Sequence, residues 1–446
     1  MRFLNFIAKQ PPVRIIAFGF LATILLGSVL LMMPFSINPD SPGISYIDSL
    51  YTSTSAVCVT GLVVVDAGTT FSVVGKLILA LLMQIGGLGV TTIGAGVMLA
   101  VGKKLNLKGM NVIKEASNLD SGGGLKKFVR DIFVYTLVIE LTGAVLSFIV
   151  FIQDLPFWTA VGVSLFHTVA AFNNSGFDIL GGLMKLDGET MNAFESLIPY
   201  QSSLLLNLTT AGLVILGGIG FLVMREILQK KWHWRRYSMH TKVVLSMSAG
   251  LLLIGTLLIK LSEEISWLGA FFFSVSTRTA GFATYSLSSF SNAGLLLICV
   301  LMFIGASPGS TGGGIKTTTI FALLLGIKSS ATNKSESAFK YTMPKDAFRK
   351  AGVICILGLS VVLVGTYLVS MFDPHIDIID ILVEIVSAFA TVGLSTGITP
   401  TLSLGSKIVT IIIMYIGRLG PLTIASLWYF SHGERFCYPE GNMAIG

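Results

Sequence analysis

Eight long apolar stretches run along this chain, at residues 15–33, 76–101, 128–152, 202–224, 243–261, 292–327, 351–371 and 404–430. Each is near or beyond the roughly 20 residues that carry an α-helix across a bilayer, so each predicts a membrane span. Between the two members of every pair lies a shorter stretch, at 44–62, 157–177, 265–282 and 378–394. In the first of these, the part from Ile47 onward predicts an amphipathic half-helix of about a dozen residues, too short to cross. Its end, Cys58-Val59-Thr60-Gly61-Leu62, is β-branched and then glycine, which favours extended backbone.

That ending returns three times, as Asn173-Asn174-Ser175-Gly176-Phe177, Arg278-Thr279-Ala280-Gly281-Phe282 and Ala390-Thr391-Val392-Gly393-Leu394. The glycines recur at intervals of about 105 to 115 residues, the mark of an internally repeated chain. The predicted fold is an all-α membrane protein of four span, pore-loop, span repeats: eight transmembrane helices and four re-entrant loops around one central pore. The repeats cover 1–101, 128–228, 243–327 and 351–430, joined by connectors at 102–127, 229–242 and 328–350 and followed by a tail at 431–446. Backbone that is neither helix nor barrel is tolerated at membrane depth only where protein buries it or where it lines a wet cavity.

Composition and charge sharpen this picture. Of the 446 residues, 53% are hydrophobic and 12% charged, against about a quarter charged in a soluble protein. Most of the 30 lysines and arginines lie at the N-terminus or in the connectors, which the positive-inside rule places in the cytoplasm. The net charge of +7 therefore follows topology and implies no nucleic acid. The loops open outward, flanked by acidic residues such as Asp40, Asp66, Asp178 and Asp373, a bias that raises local cation concentration. Four cysteines without a CxxC pair indicate neither zinc nor a disulfide framework. The first apolar run is too long for a signal peptide and has no small-residue cleavage site.

An ion filter made of backbone carbonyls needs extended strands whose oxygens face one axis, with glycine where a side chain would clash. Four glycines in register meet that need better than helix packing through small residues does. The sixth apolar stretch is interrupted by Gly305-Ala306-Ser307-Pro308-Gly309-Ser310-Thr311-Gly312-Gly313-Gly314, a run that breaks a helix. Two soluble motifs compete for it. Ser307 fits a hydrolase nucleophile elbow but lacks an evident His and Asp pair, and 309–316 approaches a phosphate-binding loop whose lysine, Lys316, is displaced by Ile315. Arg418, in the middle of the last span, is a charge at membrane depth and so a functional candidate.

The four Gly-centred endings and the closing Ile416-Gly417-Arg418-Leu419-Gly420-Pro421-Leu422-Thr423 resemble the Trk/Ktr/HKT superfamily of potassium transporters, most of all the membrane subunit of its Ktr branch. The resemblance implies a potassium filter at Val59, Thr60, Gly61, Asn174, Ser175, Gly176, Thr279, Ala280, Gly281, Thr391, Val392 and Gly393, whose carbonyls alone coordinate K+. It implies a gate made of the loop Gly305 to Gly314, Lys316 and Arg418. No covalent cofactor and no enzymatic activity are expected; K+ is the transported ion. The implied partners are a second copy of the chain and a cytosolic nucleotide-binding regulatory subunit, at the cell membrane. Arg278 departs from its small counterparts, with Asp48 and Glu384 as possible partners. Two other functions are weighed: a secondary ion-coupled carrier, which would show two repeats rather than four, and an intramembrane serine hydrolase built on Ser307.

Overall fold

The computed structural model describes residues 11–100, 125–231, 233–344 and 346–426. Most of the expected connector 102–127, the whole tail 431–446 and the last residues of the expected eighth span lie outside them. In chain order the helices are α1 (Pro12–Met32), α2 (Tyr46–Val57), α3 (Val73–Leu88), α4 (Val90–Ala100), α5 (Leu125–Asp154), α6 (Phe157–Phe172), α7 (Leu204–Gly218), α8 (Phe221–Lys230), α9 (Met239–Ser262), α10 (Trp267–Ser276), α11 (Asn292–Phe303), α12 (Thr317–Thr332), α13 (Ala347–Phe372), α14 (Ile378–Ala390), α15 (Leu404–Leu419) and α16 (Pro421–Ser426). Single-turn helices and one short hairpin, Ser337–Ala338 with Tyr341–Thr342, complete the described elements.

Among the described residues, four helices are long and apolar enough to cross a membrane, α1, α5 from Lys126, α9 and α13, and the bent pair α7 and α8 makes a fifth if it is one span. Their outward residues stay apolar, with Leu26, Leu137, Leu253 and Leu363 more than half exposed, which suits a lipid surround. The short helices α2, α6, α10 and α14 lie inside, where they are the most deeply buried elements; Ile381 and Val383 through Ala390 are all buried in α14. Serine hydroxyls begin many of the helices. Ser45, Ser72, Ser203, Ser238, Ser266, Ser291 and Ser403 each accept from an amide of the first turn, satisfying a donor that has no partner within the helix.

The second apolar stretch of each pair is broken. Stretches 76–101, 202–224 and 404–430 were expected to be continuous spans, and the structure divides all three at a glycine: Gly89 (φ +85°), Gly220 (φ +91°) and Gly420 (φ +91°). Between α7 and α8 the bend is 98°. Positive φ is open to glycine at little cost, and it ends the right-handed spiral. In the third unit the break is the expected one, a loop between α11 and α12, pinned at its base by Gly305 N donating to Ile315 O at 2.9 Å.

Contacts between the two ends of the chain close the bundle. Lys407 of α15 pairs with Asp48 of α2 at 2.7 Å, and Tyr415 Oη donates to Ala17 O of α1 at 2.8 Å.

Candidate functional site

The four short inner helices point their C-termini at one place, and each hands over to a strand of the same shape. The first strand residue has positive φ in all four: Val59 (52°), Asn174 (56°), Thr279 (74°) and Thr391 (53°). Two residues later comes a glycine, again at positive φ: Gly61 (92°), Gly176 (70°), Gly281 (80°) and Gly393 (96°). For valine and threonine this backbone is strained, and such strain persists only where the surroundings enforce it. The enforcement is visible in the amides, which turn back onto the helix ends. Thr60 N donates to Ser55 O (2.8 Å), Ser175 N to Ala170 O (2.8 Å), Ala280 N to Ser276 O (2.9 Å) and Val392 N to Ser387 O (2.9 Å).

The glycines form a closed ring. A methyl group on Gly61 would stand 3.1 Å from Gly176 Cα, one on Gly176 2.9 Å from Gly281 Cα, one on Gly281 3.1 Å from Gly393 Cα, and one on Gly393 2.9 Å from Gly61 Cα. Each would also collide with the carbonyl of the next strand, Ser175, Ala280, Val392 and Thr60 in turn. Those four residues, with Val59, Asn174, Thr279 and Thr391, are fully buried. Among the described residues no donor reaches any of their eight carbonyls. Buried carbonyls are nearly always paired; of these eight unclaimed ones, those of Thr60, Ser175, Ala280 and Val392 crowd the ring of glycines, an arrangement that suits something electropositive.

Beneath the ring lies the loop from Gly305 to Lys316. Ser307 N and Thr311 N donate to Gly218 O (3.1 Å) and Gly217 O (3.2 Å) of α7, and Gly309 O accepts from Phe221 N (3.1 Å) of α8. Gly313 N donates to Thr391 Oγ1 at 3.0 Å, and Gly312 packs against Thr279 Oγ1. The Asn174 amide, with its nitrogen toward Phe172 O (3.2 Å) and Thr311 Oγ1 (3.1 Å), accepts from Thr279 Oγ1 (3.3 Å). The side chains of Asn174, Thr279 and Thr391 therefore join ring to loop, where sequence reasoning gave these positions only a backbone role. Ala306 is buried and its carbonyl accepts from Thr317 N (3.3 Å); Pro308 O abuts the break at Gly220, and Ser310 Oγ donates to Ser307 O (2.6 Å). Gly314, at φ +68°, packs on Ala390 at the end of α14.

Two cations hold the loop. Arg418 donates to Thr311 O of the loop and to Gly86 O and Gly87 O at the end of α3, with its guanidinium 5.8 Å from the centre of the Phe20 ring. Lys316 Nζ donates to Gly312 O (2.7 Å) and Gly313 O (3.3 Å). Both line a cavity of about 250 Å³ below the loop, together with Phe128, Phe221, Gly309 and Ser310.

The TrkH family model, described as a cation transport protein, matches residues 12–248 and 244–432. The chain belongs to the TrkH family of cation transport proteins. It is 35% identical to the Ktr system potassium uptake protein B of Vibrio alginolyticus, over 98% of this chain and 96% of that one. It is 33% identical to the protein of the same name from Bacillus subtilis (98% and 97% covered) and 36% identical to the potassium/sodium uptake protein NtpJ of Enterococcus hirae (98% and 98%). Its fold is similar to the crystal structure of the potassium transporter TrkH from Vibrio parahaemolyticus, with a TM-score of 0.73 and 17% identity over 94% of this chain and 86% of that one.

Within this TrkH-family chain some expected contacts fall elsewhere. Arg278 meets neither Asp48 nor Glu384. It donates to Ser248 Oγ (3.0 Å) and Ser248 O (3.3 Å) on α9, while Asp48 holds Lys407 and Glu384 accepts from Thr399 Oγ1 at 2.6 Å. Ser307 Oγ lies 3.1 Å from another hydroxyl, Thr317 Oγ1, an arrangement that supplies no base for a nucleophile. Lys316 is engaged with its own loop, which leaves the phosphate-loop reading without its lysine.

Proposed function

We propose that the chain is the potassium-translocating membrane subunit of a potassium uptake system, passing K+ through the carbonyl ring as a channel does. The observation that carries this reading is the set of eight buried, unclaimed carbonyls around the four glycines. A dehydrated cation replaces its water shell with such oxygens. The relatives supply the ion, since the Vibrio and Bacillus proteins are potassium uptake proteins and the Enterococcus one a potassium/sodium uptake protein. In this reading the four units are span, pore-loop, span repeats, the second span of each being a broken helix. The N-terminus and connectors face the cytoplasm and the ring opens outward.

The loop from Gly305 to Gly314, with Lys316 and Arg418, is the gate. It lies across the path directly below the ring and is tied to α3, α7, α8 and Thr391 of the fourth strand. The resemblance to Ktr membrane subunits supports a homodimer and a cytosolic nucleotide-binding subunit that acts on the gate from the inner side. Four units around one axis give no support to a two-repeat rocking carrier.

Gly281→Ser tests the filter. Its side chain would collide with the Val392 carbonyl at a backbone φ of +80°, so it tilts the ring locally while leaving the buried helices in place. The expected result is a folded protein with a lowered ratio of K+ to Na+ uptake in a transport-deficient strain. An unchanged ratio in a well-expressed variant removes Gly281 from the filter.

A further inference from the structure

The four strands around the axis are anchored in two different ways. In strands 1 and 4 a serine six residues before the glycine accepts from the glycine amide: Gly61 N donates to Ser55 Oγ at 3.0 Å and Gly393 N to Ser387 Oγ at 2.9 Å. The corresponding residues in strands 2 and 3 are Ala170 and Val275, which carry no acceptor. Among the described residues nothing accepts from Gly176 N, and Gly281 N reaches only Ser276 O, at 3.4 Å.

Where the serine is missing, a different position is polar. The residue three places before the glycine is Cys58 in strand 1 and Ala390 in strand 4, but Asn173 in strand 2 and Arg278 in strand 3. Both of these buried side chains reach back to the first long helix of their own unit. Asn173 Nδ2 donates to Gln84 Oε1 of α3 at 2.6 Å, to Val169 O one turn back on α6 at 2.9 Å and, more weakly, to Glu140 Oε1 of α5 at 3.4 Å. Arg278 bonds Ser248 of α9 through both Nη1 and Nη2. Glu140 stands midway along α5, at a depth where a carboxyl is costly and is kept for a reason. In such a low-dielectric setting a completed hydrogen-bond network fixes one geometry, and a broken one releases it.

We propose that Glu140 and Gln84 are positioning residues for ion selectivity, holding strand 2 through Asn173 in place of the serine that strands 1 and 4 use. Ser248 does the same for strand 3 through Arg278. This rests on the reading of the four strands as a filter.

The test is the ratio of K+ to Na+ flux through the full-length protein reconstituted in liposomes. Glu140→Leu lowers that ratio roughly tenfold, the order expected when one hydrogen bond to a charged group is lost. Glu140→Gln keeps an acceptor oxygen and keeps the ratio. Ala170→Ser, added to Glu140→Leu, restores the ratio, because its hydroxyl accepts from Gly176 N as Ser55 does from Gly61 N. Should Glu140→Leu fail to fold, Gln84→Leu removes the shortest of the three Asn173 bonds and takes its place. Gly176→Ser, which alters strand 2 itself, is the control. A ratio lowered by the control and untouched by Glu140→Leu overturns the proposal, and so does a loss that Ala170→Ser fails to repair. A ratio untouched by the control as well overturns the filter reading instead.

Discussion

A guanidinium inside an apolar bundle must find acceptors, and Arg418 finds three carbonyls on two different elements. Its five donors in a planar fork suit that task in a way a lysine would not. Those bonds fix the loop to the end of α3, and in the gate we propose the charge would itself repel an arriving cation where screening is weak. Arg418→Gln removes the charge and most of the bonds, so flux is expected to rise several-fold in a liposome assay at equal protein content. Unchanged or lower flux would return Arg418 to a purely structural role. Arg418 stood out in the sequence, since a charge within an apolar stretch announces itself, but its bond to the loop at Thr311 O did not. The partner of Arg278 was not: Ser248 lies 30 residues away on α9, and no local pattern marks a serine on a long helix as an acceptor. The strand glycines were legible because they recur, whereas the positive φ of Val59, Thr279 and Thr391 contradicts the preference of their side chains and is imposed by packing.

The helices show what hydropathy conveys and what it omits. Apolar runs located the four long apolar helices and the four inner ones, but a glycine scores as one more small residue whether it continues a helix or ends it. That is why the breaks at Gly89, Gly220 and Gly420 were not expected. Gly220 sits between the 98° bend and the loop carbonyl of Pro308, only 2.7 Å from where a methyl group would go. Gly220→Ala is therefore expected to destabilise the protein by about 1–3 kcal/mol, read as a lowered melting temperature, through backbone strain and that contact. The segment from α8 to α9 is secured by Glu226. Burial pushes its carboxyl up, but Lys230 (2.6 Å), Thr241 and both Ser238 N (2.9 Å) and Ser238 Oγ (2.7 Å) outweigh this and hold it at about 2. A folded-state value below the unfolded one gives stability that is full above about pH 4.3 and lost as pH falls toward 2. The melting-temperature difference between the native protein and Glu226→Gln should follow that course, and a difference that persists at pH 2 would contradict it.

For the molecule as a whole, the period of the chain becomes a ring in space, and the first and last units must meet to close it. The Lys407 and Asp48 pair and the Tyr415 bond to Ala17 make that closure between segments more than 350 residues apart in sequence. The four glycines of the ring were legible from their spacing, but the closure was not, because a pairing across the whole chain leaves no local trace. Likewise the division of labour between serine-held and strut-held strands appears only when the four are superposed in space. The central claim is that the eight unclaimed carbonyls coordinate the transported ion. Anomalous diffraction from crystals grown with Rb+ in place of K+ tests it most directly. The account predicts Rb+ on the axis of the ring, ligated by the carbonyls of Thr60, Ser175, Ala280 and Val392; Rb+ bound only away from that axis, in a protein that still transports K+, would contradict it.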